Sequence, residues 1–263
     1  MNATLLALRT EVRWALGDAL VMAWRNMLRY RRSPELLVFS TIQPVMFVLL
    51  FAFVFGGAIQ TGSANYIDYL LPGIFVQTVI FGAMQTGIGL AEDLAGGLVD
   101  RYRSLPMARS AVIAGRILAD TARNVFVVAL MLAVGHAIGF RFHTDVGRAL
   151  AVVVVAVLFG HAFSWVSACI GVAVKDVETA EVAGFIWVFP LTFLSSTFVP
   201  VQSMPAWLQT VATHNPVTIV VDLLRALSQG GPVADPLWQT AAWAAGIVAV
   251  FAPIAIALYR RPS

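Results

Sequence analysis

The chain has 263 residues, of which 59% are hydrophobic and 12% charged, whereas an ordinary soluble domain has roughly 45–50% apolar and about 25% charged residues. Twelve per cent of charged residues is too little to cover the water-facing surface of a soluble protein of this length. The composition therefore predicts a protein solvated largely by lipid. The single cysteine excludes an intrachain disulfide and any multi-cysteine metal site. The net charge of +3 would suit a nucleic-acid partner, but the positions of the charges argue against one.

Residues 1–35 are predicted to form a cytoplasmic amphipathic helix that lies at the membrane surface. Its apolar residues recur at helical spacing between arginines, and Ser33-Pro34 marks the turn into the membrane. A frayed, partly helical tail is the alternative. The apolar positions are Leu5, Leu8, Val12, Leu16, Leu20, Ala23 and Met27.

The rest of the chain, residues 36–261, is predicted to be a six-span transmembrane domain, so the fold class is an all-α polytopic membrane protein. A helix of about 20 apolar residues crosses a bilayer. The third span extends back to Ser110, which places Arg116, Asp120 and Arg123 on one helical face where they can pair and where Arg123 can snorkel to the interface. The predicted spans are about 36–57, 70–91, 110–140, 150–174, 182–199 and 238–259.

The distribution of positive charge predicts the orientation. Of the 17 arginine and lysine residues, 14 fall on the side that holds the N-terminal helix, the segment after the second span and the C-terminus. Cytoplasmic segments of membrane proteins carry this excess. Both termini are therefore predicted to be cytoplasmic, in a multi-pass protein of the cell membrane.

Several functional classes lack their signatures. The only lysine, Lys175, is flanked by Val174 and Asp176, so the chain has no phosphate-binding loop and is not expected to hydrolyse ATP itself. The four histidines are scattered singly, which disfavours catalysis or metal binding. The uncharged runs within the spans hold no acidic residue, which counts against a proton- or sodium-coupled carrier.

The segment Glu92–Arg109, after the second span, is densely charged and carries an apolar stripe at Leu98, Tyr102 and Leu105. Such a stripe is typical of a helix that docks in a partner's groove. Packing against the protein's own N-terminal helix is the competing interpretation.

The segment 198–225 is too apolar for an exposed loop and too interrupted by prolines for a straight span. Two short helices that dip into the outer leaflet explain this composition, since irregular backbone at membrane depth must be buried in protein or line a cavity. An interfacial helix on the outer surface is the runner-up. Pro44, beside Gln43, is predicted to kink the first span.

The order of these segments resembles the membrane subunit of type-2 ATP-binding-cassette exporters, in the daunorubicin-resistance drug-export branch. The resemblance covers nearly all of 23–261. It is carried by Arg25, Arg32-Ser33-Pro34-Glu35, Gln43-Pro44, Asp100-Arg101, Arg103-Ser104-Leu105-Pro106, Arg109, Pro200, Met204-Pro205, Trp207-Leu208, Asn215-Pro216 and Arg225.

The resemblance implies a dimer of six-helix subunits bound to two cytoplasmic ATPase subunits, which hold ATP and Mg while this chain binds no cofactor. It also implies that the N-terminal helix and the segment after span two dock on the ATPase, and that the broken segment caps the pathway from outside. The implied coupling residues are Arg25, Arg29, Arg32, Glu92, Leu98, Asp100, Arg101, Tyr102, Arg103, Leu105, Pro106 and Arg109. The implied cap residues are Pro200, Pro205, Trp207, Asn215 and Pro216.

A pathway between two subunits would have an apolar and aromatic lining with a few polar anchors, which suits a lipophilic or amphipathic substrate. Lipid contact is the competing interpretation for each phenylalanine. Small-residue pairs such as Ser167/Gly171 permit close helix contacts either between subunits or within one. The candidate lining residues are Gln43, Phe47, Phe51, Phe75, Gln77, Gln85, Phe81 and Phe185.

Three other functions stay open at this stage. An exporter of the same family could move a lipid-linked glycan or a cell-envelope lipid instead of a drug. A carrier or channel without an ATPase is the second, and an intramembrane enzyme is the most remote because no nucleophile, base or metal ligands cluster in the sequence.

Overall fold

The computed structural model describes residues 2–32, 34–56, 65–98, 102, 107–174 and 176–260. Within these ranges the chain forms nine α-helices and no strand. They are α1 (Asn2–Arg32), α2 (Pro34–Leu49), α3 (Tyr66–Ala95), α4 (Arg109–Ala137), α5 (Val146–Ala173), α6 (Val177–Phe193), α7 (Ala206–His214), α8 (Pro216–Gln229) and α9 (Ala234–Arg260).

Ser33, where the sequence predicts the turn into the membrane, lies outside the described residues, so that turn stays a prediction. Helix α1 is described up to Arg32 and α2 from Pro34 onward. Helix α2 contains Pro44 and continues as a π-helical segment, Leu50–Phe55. The chain of α2 and its continuation therefore departs from regular α geometry twice: at Pro44, which removes one helical hydrogen bond, and at the π-helical segment.

Helix α3 lies at the centre of the bundle. Leu70, Leu71, Ile74 and Phe75 on this helix are fully buried. In the most apolar 18 residues of α3, 89% are buried, whereas in those of α9 only 11% are. Helix α3 packs against α4, α5, α6 and α8. The core therefore surrounds α3, whereas most of α9 is exposed at the surface of the subunit.

A glycine contact sets the closest approach of α3 to α5. A Cβ added to Gly171 would overlap the backbone of Gly87, and one added to Gly87 would overlap the Ser167 carbonyl. Small residues allow helices to approach this closely in membranes. The Ser167/Gly171 pair therefore makes its contact within one subunit.

Four described helices are long and apolar enough to cross a membrane: Tyr66–Ala95, Ser110–Ala137, Val146–Ala173 and Ala234–Arg260. The chain is an integral membrane protein on this ground. The apolar stretch Ser40–Phe55 is shorter, and α6 has 17 residues. Six spans therefore stay a prediction.

The helices extend beyond the uncharged runs that the sequence suggested. Helix α3 includes Asp68 and Asp93 at its two ends, and α4 includes Asp120. Each carboxylate is buried with a partner: Asp68 accepts from the Arg141 amide at 3.3 Å, and the other two carboxylates pair with Arg116. The uncharged runs lack acidic residues, but the helices that contain these runs are longer and do include buried, paired carboxylates.

The segment before the last helix consists of short elements, and its predicted position in the outer leaflet stays a prediction. A 3₁₀ turn, Val201–Ser203, precedes the two short helices α7 and α8. Between these two helices, Asn215 accepts from the Val217 amide at 2.8 Å and donates to the Leu191 and Leu194 carbonyls at 2.8 Å each. This side chain caps α8 and joins it to the end of α6.

Candidate functional site

A cavity of about 290 Å³ lies between α1, α2, α3 and α4. Its wall combines aromatic and aliphatic side chains with amides, hydroxyls and guanidinium groups. The lining residues are Asn26, Arg29, Tyr30, Ser40, Gln43, Pro44, Phe47, Gln77, Thr78, Phe81, Gly82, Gln85, Ile88, Gly89, Glu92, Arg116, Arg123, Asn124 and Val127.

The structure brings five of the predicted pathway residues together at this cavity: Gln43, Phe47, Gln77, Phe81 and Gln85. They come from α2 and α3 of one chain. Their proposed role in lining a substrate pathway stays a prediction.

The other three predicted pathway residues lie elsewhere. Phe51 stacks on Phe198 with ring centroids 4.4 Å apart. Phe75 is fully buried in the core, so it faces neither the cavity nor lipid. Phe185 is 37% exposed and contacts the ring of Phe81 edge-on.

One buried carboxylate joins three helices beside the cavity. Asp120 on α4 accepts hydrogen bonds from the Tyr30 hydroxyl of α1 at 2.6 Å and from the Thr86 hydroxyl of α3 at 2.7 Å. The guanidinium of Arg116 lies 3.6 Å from the same carboxylate and 3.4 Å from that of Asp93. The pairing of Arg116 with Asp120 is the one that their four-residue spacing predicted.

Arg123 does not snorkel to the interface as its position suggested. It is buried, and it donates to the Gly82 carbonyl of α3 at 2.7 Å and to Asn124 at 3.4 Å. Its guanidinium also lies 5.8 Å from the centre of the Tyr30 ring. Gly82 permits this approach, because a Cβ there would overlap Asn124.

The predicted coupling residues that the structure describes pack partly against α1. The Arg25 guanidinium lies 4.8 Å from the centre of the Tyr102 ring, and Arg29 forms a 3.2 Å ion pair with Glu92. Leu98 and Arg32 remain exposed. Tyr102 therefore contacts the protein's own N-terminal helix, which was the competing interpretation of the apolar stripe.

The remaining predicted coupling residues lie between positions 100 and 109, at or before the start of α4. Arg109 begins α4, and the preceding Ala108 amide donates to Asp18 of α1 at 3.0 Å. Asp100, Arg101, Arg103, Leu105 and Pro106 lie outside the described residues.

The predicted cap residues surround α7 and α8. Pro200 precedes the 3₁₀ turn, and Pro205 precedes α7. Trp207 is 71% exposed on α7. Asn215 and Pro216 form the start of α8, so the prolines stand at the helix boundaries where their missing amide hydrogen costs nothing.

Arg225 on α8, one of the residues that carry the family resemblance, has a structural role that the sequence did not predict. Its guanidinium donates to the carbonyls of Tyr69, Ser196 and Thr197 at 3.0, 2.6 and 3.4 Å and lies 3.5 Å from the centre of the Tyr69 ring. The Tyr69 hydroxyl also donates to the Ser196 carbonyl, and that of Tyr66 donates to Phe198. These bonds hold the turn after α6 against α3. The available signal was the Asp222–Arg225 pair at three-residue spacing within the otherwise apolar stretch 216–227, and the two side chains form a 3.0 Å ion pair.

Apolar helices packed around a partly polar cavity, with buried charges paired between helices, define a polytopic membrane protein. The chain belongs to the ABC-2 type transporter family, whose model matches residues 18–228. Members of this family are ABC transporter permeases, which are not enzymes themselves, and the ATPase is a separate subunit.

Similar proteins include permeases named for drug resistance. The daunorubicin resistance ABC transporter permease protein DrrB1 of Streptomyces coeruleorubidus is 32% identical over 94% of this chain and 87% of its own length. The probable doxorubicin resistance ABC transporter permease protein DrrC of Mycobacterium tuberculosis is 30% identical over 97% and 92%. The putative transport permease ycf38 of Cyanophora paradoxa is 22% identical over 81% and 74%.

Proposed function

We propose that this chain is the membrane subunit of an ATP-driven exporter that moves a lipophilic or amphipathic compound out of the cytoplasm or the inner leaflet. The observation that carries the proposal is the similarity to resistance permeases along more than nine-tenths of the chain. The cavity supports it, because aromatic walls with a few polar groups suit an amphipathic ligand.

The proposed complex contains two permease subunits, identical or different, and two cytoplasmic ABC ATPase subunits that bind ATP and Mg. The described helices offer apolar surface for the second permease copy or for lipid. Val38, Ile42 and Met46 are exposed along α2, and Val182 and Ile186 along α6.

The proposed orientation places both termini in the cytoplasm, with α7 and α8 at the opposite side as the cap. In the proposed six-span arrangement, α2 with its π-helical continuation is the first span and α6 is the fifth. The 22 residues of Pro34–Phe55 are long enough to cross the bilayer.

The proposed ATPase-docking surface combines the end of α1, the end of α3 and the segment 98–109. Support for one continuous surface comes from the Arg29–Glu92 ion pair and the Arg25–Tyr102 contact, which hold these parts together. An exposed ion pair alone adds little stability, so the docking surface is held mainly by the packing of Tyr102 against Arg25.

We infer that motion of the docked ATPase reaches the core through Tyr30. The docking surface includes α1, and the Tyr30 hydroxyl of α1 is bonded to Asp120 inside the bundle. The same carboxylate holds Thr86 and Arg116. A shift of α1 would therefore move α3 and α4, which form two walls of the cavity.

Purification of the permease with its ATPase tests the proposal. We expect a stable complex whose ATP hydrolysis in liposomes rises with doxorubicin, the first probe, and which accumulates doxorubicin only when ATP is present. The control is the same complex with the catalytic carboxylate of the ATPase removed. Doxorubicin uptake by the permease alone, without any ATPase, would instead identify an ATPase-independent carrier.

A further inference from the structure

The wall of the cavity formed by α3 and α4 carries polar groups that have no hydrogen-bond partner in the protein. Gln77 and Thr78 on α3 and Arg123 and Asn124 on α4 are all more than nine-tenths buried, and all line the cavity. On these four residues the unpartnered atoms are Gln77 Oε1, Thr78 Oγ1, Arg123 Nε and Asn124 Nδ2; Arg116 Nε also has no hydrogen bond but lies 3.6 Å from the Asp120 carboxylate. Leaving such atoms unpaired costs about 1–3 kcal/mol each, so four in one place point to a missing ligand group.

Arg123 differs from the other two arginines of the cavity wall. Arg29 is paired with Glu92, and Arg116 with Asp93 and Asp120. In the part of the chain that the structure describes, no carboxylate oxygen lies within 4 Å of Arg123. It occupies the middle of α4, 14 residues from either end, where a membrane-spanning helix tolerates an arginine only at a cost and usually for a function.

The unpartnered atoms are mostly donors. Arg123 Nε and Asn124 Nδ2 can only donate, and the Thr78 hydroxyl can donate or accept. The Gln77 amide can present its nitrogen in place of its oxygen by a half-turn of the side chain. A guanidinium with neighbouring amide and hydroxyl donors is the arrangement that binds carboxylate or phosphate oxygens.

We propose that Arg123, Asn124 and Thr78 bind the oxyanion, a carboxylate or a phosphate, of an amphipathic molecule. Its apolar body lies along Phe47 and Phe81, which line the same cavity. About 290 Å³ accommodates the acidic head and the first part of such a body. The inference rests on the proposed export function and adds to its cavity a subsite for an anionic group, whether the bound molecule is a transported acidic amphiphile or a resident acidic phospholipid.

Photo-crosslinking of the permease–ATPase complex in phosphatidylcholine nanodiscs tests the site. The probe is dodecyl phosphate with a diazirine near its head group, and the comparison probe is the matching dodecyltrimethylammonium. We expect the phosphate probe to label peptides of α3 and α4 with saturation, and Arg123→Gln to weaken the apparent affinity by about tenfold or more. The ammonium probe should show no such dependence on Arg123.

Matched variants separate a binding role from a structural one. Arg148→Gln removes an exposed arginine outside the cavity and should leave labelling unchanged, whereas Arg123→Lys should keep part of the affinity. If Arg123→Gln fails to assemble, Thr78→Val and Asn124→Leu replace it, each with an expected loss of about threefold or more. Equal labelling of the wild type and of all cavity variants would overturn the inference.

The two sources of the acidic group give different results. ATP-dependent release of the phosphate probe from the nanodisc or liposome identifies a transported compound. Competition by phosphatidylglycerol, without ATP-dependent movement of either molecule, identifies a resident lipid. Saturable labelling in a complex that transports nothing would refute the proposed export function but support the oxyanion site. Transport together with labelling that does not depend on Arg123 would support export but refute the site.

Discussion

The Tyr30 hydroxyl donates a 2.6 Å hydrogen bond to Oδ1 of Asp120, a residue 90 positions further along the chain. Burial, reinforced by the nearby Asp120 carboxylate, raises the pKa of Tyr30 to about 12, so the hydroxyl keeps its proton at physiological pH. Thr86 donates to the other oxygen of the same carboxylate. Three helices thus depend on one buried charge, and such networks lose more than a single bond when one member is removed.

Replacing Tyr30 by phenylalanine should break this connection while keeping the ring in place. Because the lost bond has a charged acceptor, we expect the free energy of unfolding to fall by about 1.5–3 kcal/mol. We also expect a lower drug-stimulated ATPase rate in an assembled complex. Chemical denaturation in mixed micelles and ATPase assays measure the two effects. Arg148→Gln, at an exposed arginine of α5 outside the proposed docking surface, is the control. Wild-type stimulation in Tyr30→Phe would contradict the proposed transmission through Asp120.

Arg225→Lys should destabilise the turn after α6 although the charge is kept. A lysine has one nitrogen and cannot reach the carbonyls of Tyr69, Ser196 and Thr197 together or stack its head group on the Tyr69 ring as a guanidinium does. We expect a loss of about 2 kcal/mol or more and faster amide hydrogen exchange in 194–199.

The matched change at an exposed arginine, Arg148→Lys, should alter stability by less than about 0.5 kcal/mol. Unchanged exchange in 194–199 of the Arg225→Lys protein would show that the turn is held by other contacts.

Two glycine-to-alanine changes should have opposite signs. Gly171→Ala places a methyl group against the backbone of Gly87, and we expect it to destabilise the protein by about 1–3 kcal/mol because α3 and α5 must separate. Gly246 on α9 has no atom within 4 Å of an added Cβ, so Gly246→Ala should stabilise the helix by about 0.5–1 kcal/mol. Thermal unfolding of both variants in nanodiscs measures the difference, and equal melting temperatures would refute the packing argument.

Leu98→Asp should weaken binding of the ATPase without affecting membrane insertion. Leu98 is exposed three residues after the end of α3, within the proposed docking surface, so a charge there would have to be desolvated on docking. We expect about a tenfold loss of affinity in pull-down titrations with the purified ATPase. Tyr102→Phe keeps the ring beneath Arg25 and should bind normally; equal binding by Leu98→Asp would exclude Leu98 from the docking surface.

The sequence alone determined the helical class, and its prolines predicted an interrupted segment over 198–225, because proline positions and apolar runs act through local backbone chemistry. It also predicted the pairing of Arg116 with Asp120, which is a matter of four-residue spacing on one helix. These features need no knowledge of which helices are neighbours.

Only the tertiary structure decided which apolar side chains face the core, the cavity or lipid. Phe75 is buried in the core, Phe47 lines the cavity and Phe53 is 72% exposed. In water, hydrophobicity separates the inside from the outside, but lipid is as apolar as a protein core. Periodicity therefore could not distinguish these phenylalanines. The partners of Tyr30 and Arg225 were equally hidden, because each bond joins helices far apart in sequence.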